Sequence, residues 1–141
     1  MKNYLFAPGP PPIPTETLLA MASPIDYHRA SESVELIGNV TAKLKYVFQT
    51  NNNVMILSSS GTGAMEAIIT NLLSSDDRVT VIRSGKVGER WGEICAAYGI
   101  QLDPINIEWG RSVDPQQVED QLNRYPETKA VLATLCETST G

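Results

Sequence analysis

The segment Leu57-Ser58-Ser59-Ser60-Gly61-Thr62-Gly63-Ala64-Met65-Glu66-Ala67 gathers three serines, a threonine and two glycines between an apolar run and a run of helix-forming residues. A strand-to-helix turn of this composition presents unpaired backbone N–H groups and the positive end of the helix dipole, and its small side chains let an anion reach the backbone. Phosphate binding is the chemistry implied; an ordinary glycine-rich turn is the alternative use. A nucleotide P-loop needs Gly-Lys-Ser/Thr opening the helix, but Gly63 is followed by Ala64-Met65, and Gly85-Lys86 by Val87. A dinucleotide fingerprint needs a third glycine or alanine where Glu66 stands, and an acid about twenty positions on, where Val81-Ile82-Arg83 runs instead.

Other chemistries are excluded more simply. Cys95 and Cys136 are far apart and the one histidine, His28, is near neither, so no Cys/His metal spacing can be assembled and no metal is expected. Both thiols read as reduced small hydrophobes. Eleven Lys+Arg against sixteen Asp+Glu give a net charge of −5 and a pI near 4.8, leaving no basic surface for DNA or RNA. No apolar run reaches the length of a signal h-region or a membrane span, so a soluble cytoplasmic protein is expected.

The elements that must position the glycine-serine turn follow from periodicity. Five of the nine prolines fall in the first fourteen residues, which predicts an extended arm. Thr15 to Ala22 reads as a short helix opened by a capping threonine. Ser31 to Gln49 spaces Val34, Ile37, Val40, Leu44 and Val47 by threes and fours, which predicts a long helix with one buried face. Beyond Asn53, apolar runs at Val54–Leu57, Val79–Ile82, Ile105–Ile107 and Ala130–Thr134 predict strands. Between them, 64–73, 88–98 and 115–125 predict helices, the last opened by Asp114 as cap, Pro115 and a capping-box Gln117. Such alternation implies an α/β fold, a three-layer αβα arrangement on a mainly parallel sheet covered on both faces.

Three further segments join the Ser-Ser-Gly-Thr-Gly turn and Tyr46-Val47-Phe48-Gln49-Thr50. They are Ala7-Pro8-Gly9-Pro10, Ser84-Gly85-Lys86-Val87-Gly88-Glu89-Arg90-Trp91 and Cys136-Glu137-Thr138-Ser139-Thr140-Gly141. In this order and spacing the chain resembles the class V aminotransferases, pyridoxal-phosphate enzymes that include the alanine-glyoxylate and serine-glyoxylate transaminases. The resemblance implies the large domain of a fold-type I transferase, with residues 1–30 as arm and short helix and 31–141 as the first part of the cofactor domain. It implies that Ser60, Gly61 and Thr62 hold the cofactor phosphate and that Thr138 hydrogen-bonds the phenolic O3′. Gly9 would lie against the substrate carboxylate. Val87 stands where the family usually stacks Phe or Trp on the ring, giving van der Waals cover without the aromatic term.

The resemblance places His28 near a subunit interface in a structural role. Trp91 and Trp109 read as packing residues, and Glu66 as part of a solvated helix face. None of Lys43, Lys45, Lys86 and Lys129 matches the family's Schiff-base lysine, which is expected beyond Gly141 together with the small C-terminal domain. The expectation is therefore an N-terminal portion of a transaminase that moves an amino group from alanine or serine to glyoxylate or pyruvate. By itself it would be inactive, and would act as a homodimer or with a complementing C-terminal fragment. A non-catalytic assembly module that keeps the scaffold and the phosphate turn is the alternative.

Overall fold

A computed structural model describes Leu5 and residues 9–141; the rest of the proline arm, Ala7 and Pro8 included, lies outside the described residues. The chain divides into two compact units, Met1–Ser58 and Ser59–Gly141.

In the first unit, α1 spans Thr15–Met21 and α2 spans Ser31–Val47. Thr15 is not the cap of α1: Pro14 holds that position, with ψ at 144°, and no side chain caps the helix. The helical periodicity of α2 is real but its face is not buried. Val34, Ile37 and Val47 are 61%, 57% and 69% exposed, and nothing in α2 is buried. The three-and-four spacing reports an apolar stripe, and burial of a stripe needs a second surface against it. Val54–Leu57 forms no strand, and Met55, Ile56 and Leu57 are exposed. The run has no neighbouring strand among the described residues to supply ladder hydrogen bonds.

The second unit is the folded core. Its elements are α3 (Gly61–Leu72), β1 (Arg78–Arg83), α4 (Lys86–Ala97), β2 (Gln101–Asn106), α5 (Pro115–Arg124) and β3 (Ala130–Leu132). The strands form a parallel sheet in the order β2-β1-β3, with Val79 opposite Leu102 and Ala130, and Val81 opposite Pro104 and Leu132. Central β1 buries four consecutive residues, Val79 to Ile82, as a strand packed on both faces must. The second strand begins earlier than its apolar run suggested, because the Arg78–Asp103 ion pair (2.7 Å) and the ladder with β1 recruit Gln101 to Asp103. The third is shorter, Ala130–Leu132: its ladder with β1 ends at Val81 opposite Leu132, and Ala133 and Thr134 leave the strand although β1 runs on to Arg83.

Helix α4 lies on β1 and β2, and α3 packs on α4. Ile69, Val79, Val81, Trp91, Ile94, Cys95, Ile100 and Leu132 form one apolar cluster, so Trp91 is a packing residue. Gly88 lets α4 approach the sheet: a Cβ there would lie 2.7 Å from the Ile82 carbonyl oxygen. Asp114 caps α5 through Gln116 N (2.9 Å) with Pro115 in the first turn. Gln117 makes no capping-box bond, and its amide reaches the Asp114 carbonyl at 3.0 Å. Because β1 and β3 are parallel neighbours, the turn at Ser84-Gly85 and the segment after Leu132 emerge at the same carboxyl edge, where α/β sheets bind ligands.

Candidate functional site

Two helix N-termini meet the expected site residues, and they differ. At α3, Ser60 is the cap residue in extended conformation (φ −99°, ψ 175°), and no side chain caps the helix. The first intrahelical bond runs from Ala64 N to Ser60 O (3.2 Å). The amides of Gly61, Thr62 and Gly63 therefore have no partner among the described residues, which leaves three donors and the positive dipole end open to an anion. A Cβ on Gly63 would crowd the Ser59 side chain, so glycine eases the tight entry.

The first turn of α4 is closed by the chain itself. The Ser139 hydroxyl accepts from Lys86 N (3.0 Å). Glu137 accepts from Val87 N at 3.2 Å (Oε1) and 3.1 Å (Oε2), and from Gly88 N at 3.0 Å (Oε2). Its Oε1 also accepts from the Ser139 hydroxyl (2.6 Å) and the Ser139 amide (3.3 Å). Glu137 is buried, 6% exposed. Burial pushes its carboxyl up, but the bonds from the Ser139 hydroxyl and the Gly88, Val87 and Ser139 amides outweigh it and hold the group below the usual carboxylate range. Gly85 permits this approach, since a Cβ there would lie 2.5 Å from Glu137 Cδ.

A cavity of about 540 Å3 opens between the two N-termini, lined by Gly61, Thr62, Met65, Lys86, Val87 and Arg90. It brings Gly61 and Thr62 together with Val87. Ser60 precedes Gly61 at its rim in sequence, and is exposed. Thr138 does not line this cavity; it is an exposed residue between the two side chains that close α4. Gly9 lies in a bend of the first unit and is exposed. Two cationic side chains edge the cavity, each already paired: Lys86 Nζ with Glu89 (2.6 Å) and Arg90 with Glu93 (2.8 Å). The hydrogen bond to Glu89 and its charge raise the Lys86 pKa. A larger cavity, about 620 Å3, lies at the carboxyl edge of the sheet against Ser84, Arg111, Thr134 and Glu137.

The remaining candidates separate cleanly. Cys95 is buried in the core, whereas Cys136 is exposed and is not a core hydrophobe. Trp109 is half exposed and packs no core; Lys86 Nζ sits 5.8 Å from its ring centroid, a cationic neighbour the residue spacing did not reveal. Glu66 is exposed beyond the first turn of α3 and accepts from the Tyr98 hydroxyl, tying α3 to the end of α4. His28 makes an edge contact with Tyr27, ring centroids 4.7 Å apart. Among the described residues no group of three or more His, Cys, Asp or Glu is placed to hold a metal ion, and no helix is long and apolar enough to cross a membrane. The closure by Glu137 escaped the sequence reading, because a carboxylate inside Cys-Glu-Thr-Ser looks like solvated loop and its partners lie some fifty positions away.

Comparison with known proteins bears on the same residues. The profile of "Aminotransferase class-V" matches residues 4–141. "Soluble hydrogenase, small subunit" of Synechococcus sp. (strain PCC 6716) is 44% identical over 142 residues, covering 99% of this chain and 37% of that protein. L-aspartate–glyoxylate aminotransferase of Paracoccus denitrificans (strain Pd 1222) is 34% identical, covering 99% of this chain and 36% of that protein. The crystal structure of alanine–glyoxylate aminotransferase from Nostoc sp. superposes with a TM-score of 0.87 at 29% identity, over 96% of this chain and 36% of that one. The chain thus spans little more than a third of the length of these relatives. An α/β unit with its parallel sheet, glycine-bearing helix entries and a profile match over almost every residue place this chain in the class V aminotransferase family.

Proposed function

We propose that this chain forms the phosphate-holding part of a pyridoxal-phosphate transaminase site, whose whole protein moves an amino group from alanine or serine to glyoxylate or pyruvate. The observation that carries the reading is the open N-terminus of α3, facing a cavity that Val87 also lines. That donor set suits a dianionic phosphate: amides at Gly61 and Thr62 without a partner among the described residues, hydroxyls at Ser60 and Thr62, and Lys86 beside them. Val87 offers its methyl groups as cover for a flat ring, and the hydroxyl of Thr138 would meet the phenolic oxygen. When bound, pyridoxal phosphate supplies the electron-withdrawing ring that lets the Cα proton of an amino acid leave. These residues bind and orient; none of them is placed to move that proton. Gly9 would face the substrate carboxylate.

Titration with pyridoxal phosphate, followed by its absorbance and by competition with inorganic phosphate, tests this reading. Thr62→Ala should weaken both ligands by about ten- to a hundredfold, the usual value of one hydrogen bond to a charged group. Binding of neither ligand to the unaltered protein refutes it. The 141 residues alone should give no turnover with alanine and glyoxylate and no stable borohydride-trapped lysine adduct, since none of Lys43, Lys45, Lys86 and Lys129 matches the family's Schiff-base lysine. The assembly reading has its own support in the exposed apolar stripe of α2 and in relatives named as hydrogenase subunits. It predicts a dimer, or a complex with a complementing C-terminal fragment, that sedimentation would detect and a charged residue at Ile37 would disrupt. Both readings accord with work in the cytoplasm.

A further inference from the structure

We infer that Glu137 is a positioning residue for the cofactor ring: its carboxylate holds the start of α4, where Val87 sits, and the Thr138 segment as one rigid piece. This rests on the cofactor reading above and assigns it a further residue.

Glu137 is buried, yet among the described residues it faces no cationic side chain across an ion pair. A buried carboxylate is costly unless donors replace its water, and the donors here are uncharged: the amides of Val87, Gly88 and Ser139 and the hydroxyl of Ser139. The carboxylate therefore bridges two segments that share no other fixed bond except that of Ser139 with Lys86 N. Residues on both sides of Thr138 are tied to α4, so Thr138 cannot shift along the chain without breaking one of them. Val87 is held from the other side, its amide bound to both carboxylate oxygens. The amides of Lys86, Val87 and Gly88 are all consumed in this way, so the anion is left to α3, whose first amides have no partner among the described residues. One N-terminus takes the phosphate, and the other is spent fixing what flanks the ring. Gly85 is the cost in sequence, because only glycine lets Glu137 and Ser139 pass.

The test uses the intact protein with Glu137→Gln and Ser139→Ala, measuring affinity for pyridoxal phosphate, affinity for inorganic phosphate, and the absorption maximum of the bound cofactor. Gln keeps the length but replaces one acceptor by an NH2 that opposes the helix amides. Glu137→Gln should weaken pyridoxal phosphate by about tenfold and displace the absorption maximum, with inorganic phosphate changed by less than about twofold. Ser139→Ala, which removes one donor and one acceptor at the surface, should act in the same direction by about threefold. Should Gln be too unstable to purify, Ser139→Ala decides the matter. Equal loss of both ligands means Glu137 merely supports the fold, and overturns the inference. Unchanged cofactor affinity and spectrum in both variants also overturns it, while leaving the cofactor reading intact. An unaltered protein that takes inorganic phosphate but not pyridoxal phosphate overturns both.

Discussion

Replacing Gly88 by alanine should loosen the contact between α4 and the sheet on which the site depends. The added Cβ would lie 2.7 Å from the Ile82 carbonyl oxygen and 3.0 Å from Arg83 Cα, both backbone atoms of β1 with nowhere to turn. Ordinary contact begins at 3.4 Å, so α4 must back away by about 0.7 Å. That withdrawal stretches the Gly88 N to Glu137 bond and opens a gap beneath Trp91, Ile94 and Cys95. Overpacking of this kind costs about 1–3 kcal/mol, and alanine recovers up to about 1 kcal/mol of helix propensity, for a net loss of about 1–2 kcal/mol. The melting temperature should fall by roughly 5–10 °C. Gly92→Ala meets the Arg83 side chain rather than backbone, 2.5 Å from Nη2 and 3.1 Å from Nε, and should cost less. Gly38→Ala in α2 meets nothing within 4 Å and should stabilise by up to about 1 kcal/mol. Thermal unfolding of the three variants side by side is the assay. A Gly88→Ala protein as stable as the parent, or less perturbed than Gly92→Ala, would refute the packing of α4 on β1.

Two further outcomes can be read without ligand. Native protein treated with an aromatic disulfide reagent should release one fast equivalent, from exposed Cys136, because burial both shields Cys95 and pushes its thiol pKa up; two fast equivalents would contradict the core. Glu137 titrates below its ordinary 4.5 when folded, so its stabilisation is complete above that pH and is lost as pH falls through the depressed folded value. The urea midpoint should drop on acidification below about pH 4.5, and Glu137→Gln should flatten that slope.

Much of the second unit was legible because its signals are local. Val79–Ile82 is a solid apolar run, Asp114-Pro115 is a helix start, and both stand where read. Errors arose where a neighbour decides. Asp103 and Pro104 look unlike a strand, yet the ladder with β1 and the Arg78 ion pair enlist them. Val54–Leu57 looks like a strand but lacks a partner among the described residues, and the stripe on α2 has helical spacing with nothing covering it. An apolar pattern states what a segment can bury, and only a second surface turns that into burial.

The site divides along the same line. The glycines and hydroxyls from Ser60 to Gly63 declare an anion turn because the donors come from the backbone of that very segment, so composition and position suffice. Glu137 declares nothing, since its chemistry lies in donors reached across the carboxyl edge of a parallel sheet. The clue was steric and sat elsewhere: Gly85, Gly88 and Gly92 fall three and four apart within one helix and its entry, spacing that puts them on one side. A helix that spends glycines on one side does so where something presses against it. Here Gly88 and Gly92 meet β1, and Gly85 meets Glu137 and Ser139. Sought in that order, from glycine to missing Cβ to the side chain filling its space, the buried carboxylate would have been the next residue to look for. Gly85→Ala, by expelling Glu137, should reproduce the ligand pattern of Glu137→Gln: weaker pyridoxal phosphate and unchanged inorganic phosphate. Retention of full cofactor affinity by Gly85→Ala would show that the close approach of Glu137 is not what orders the ring site.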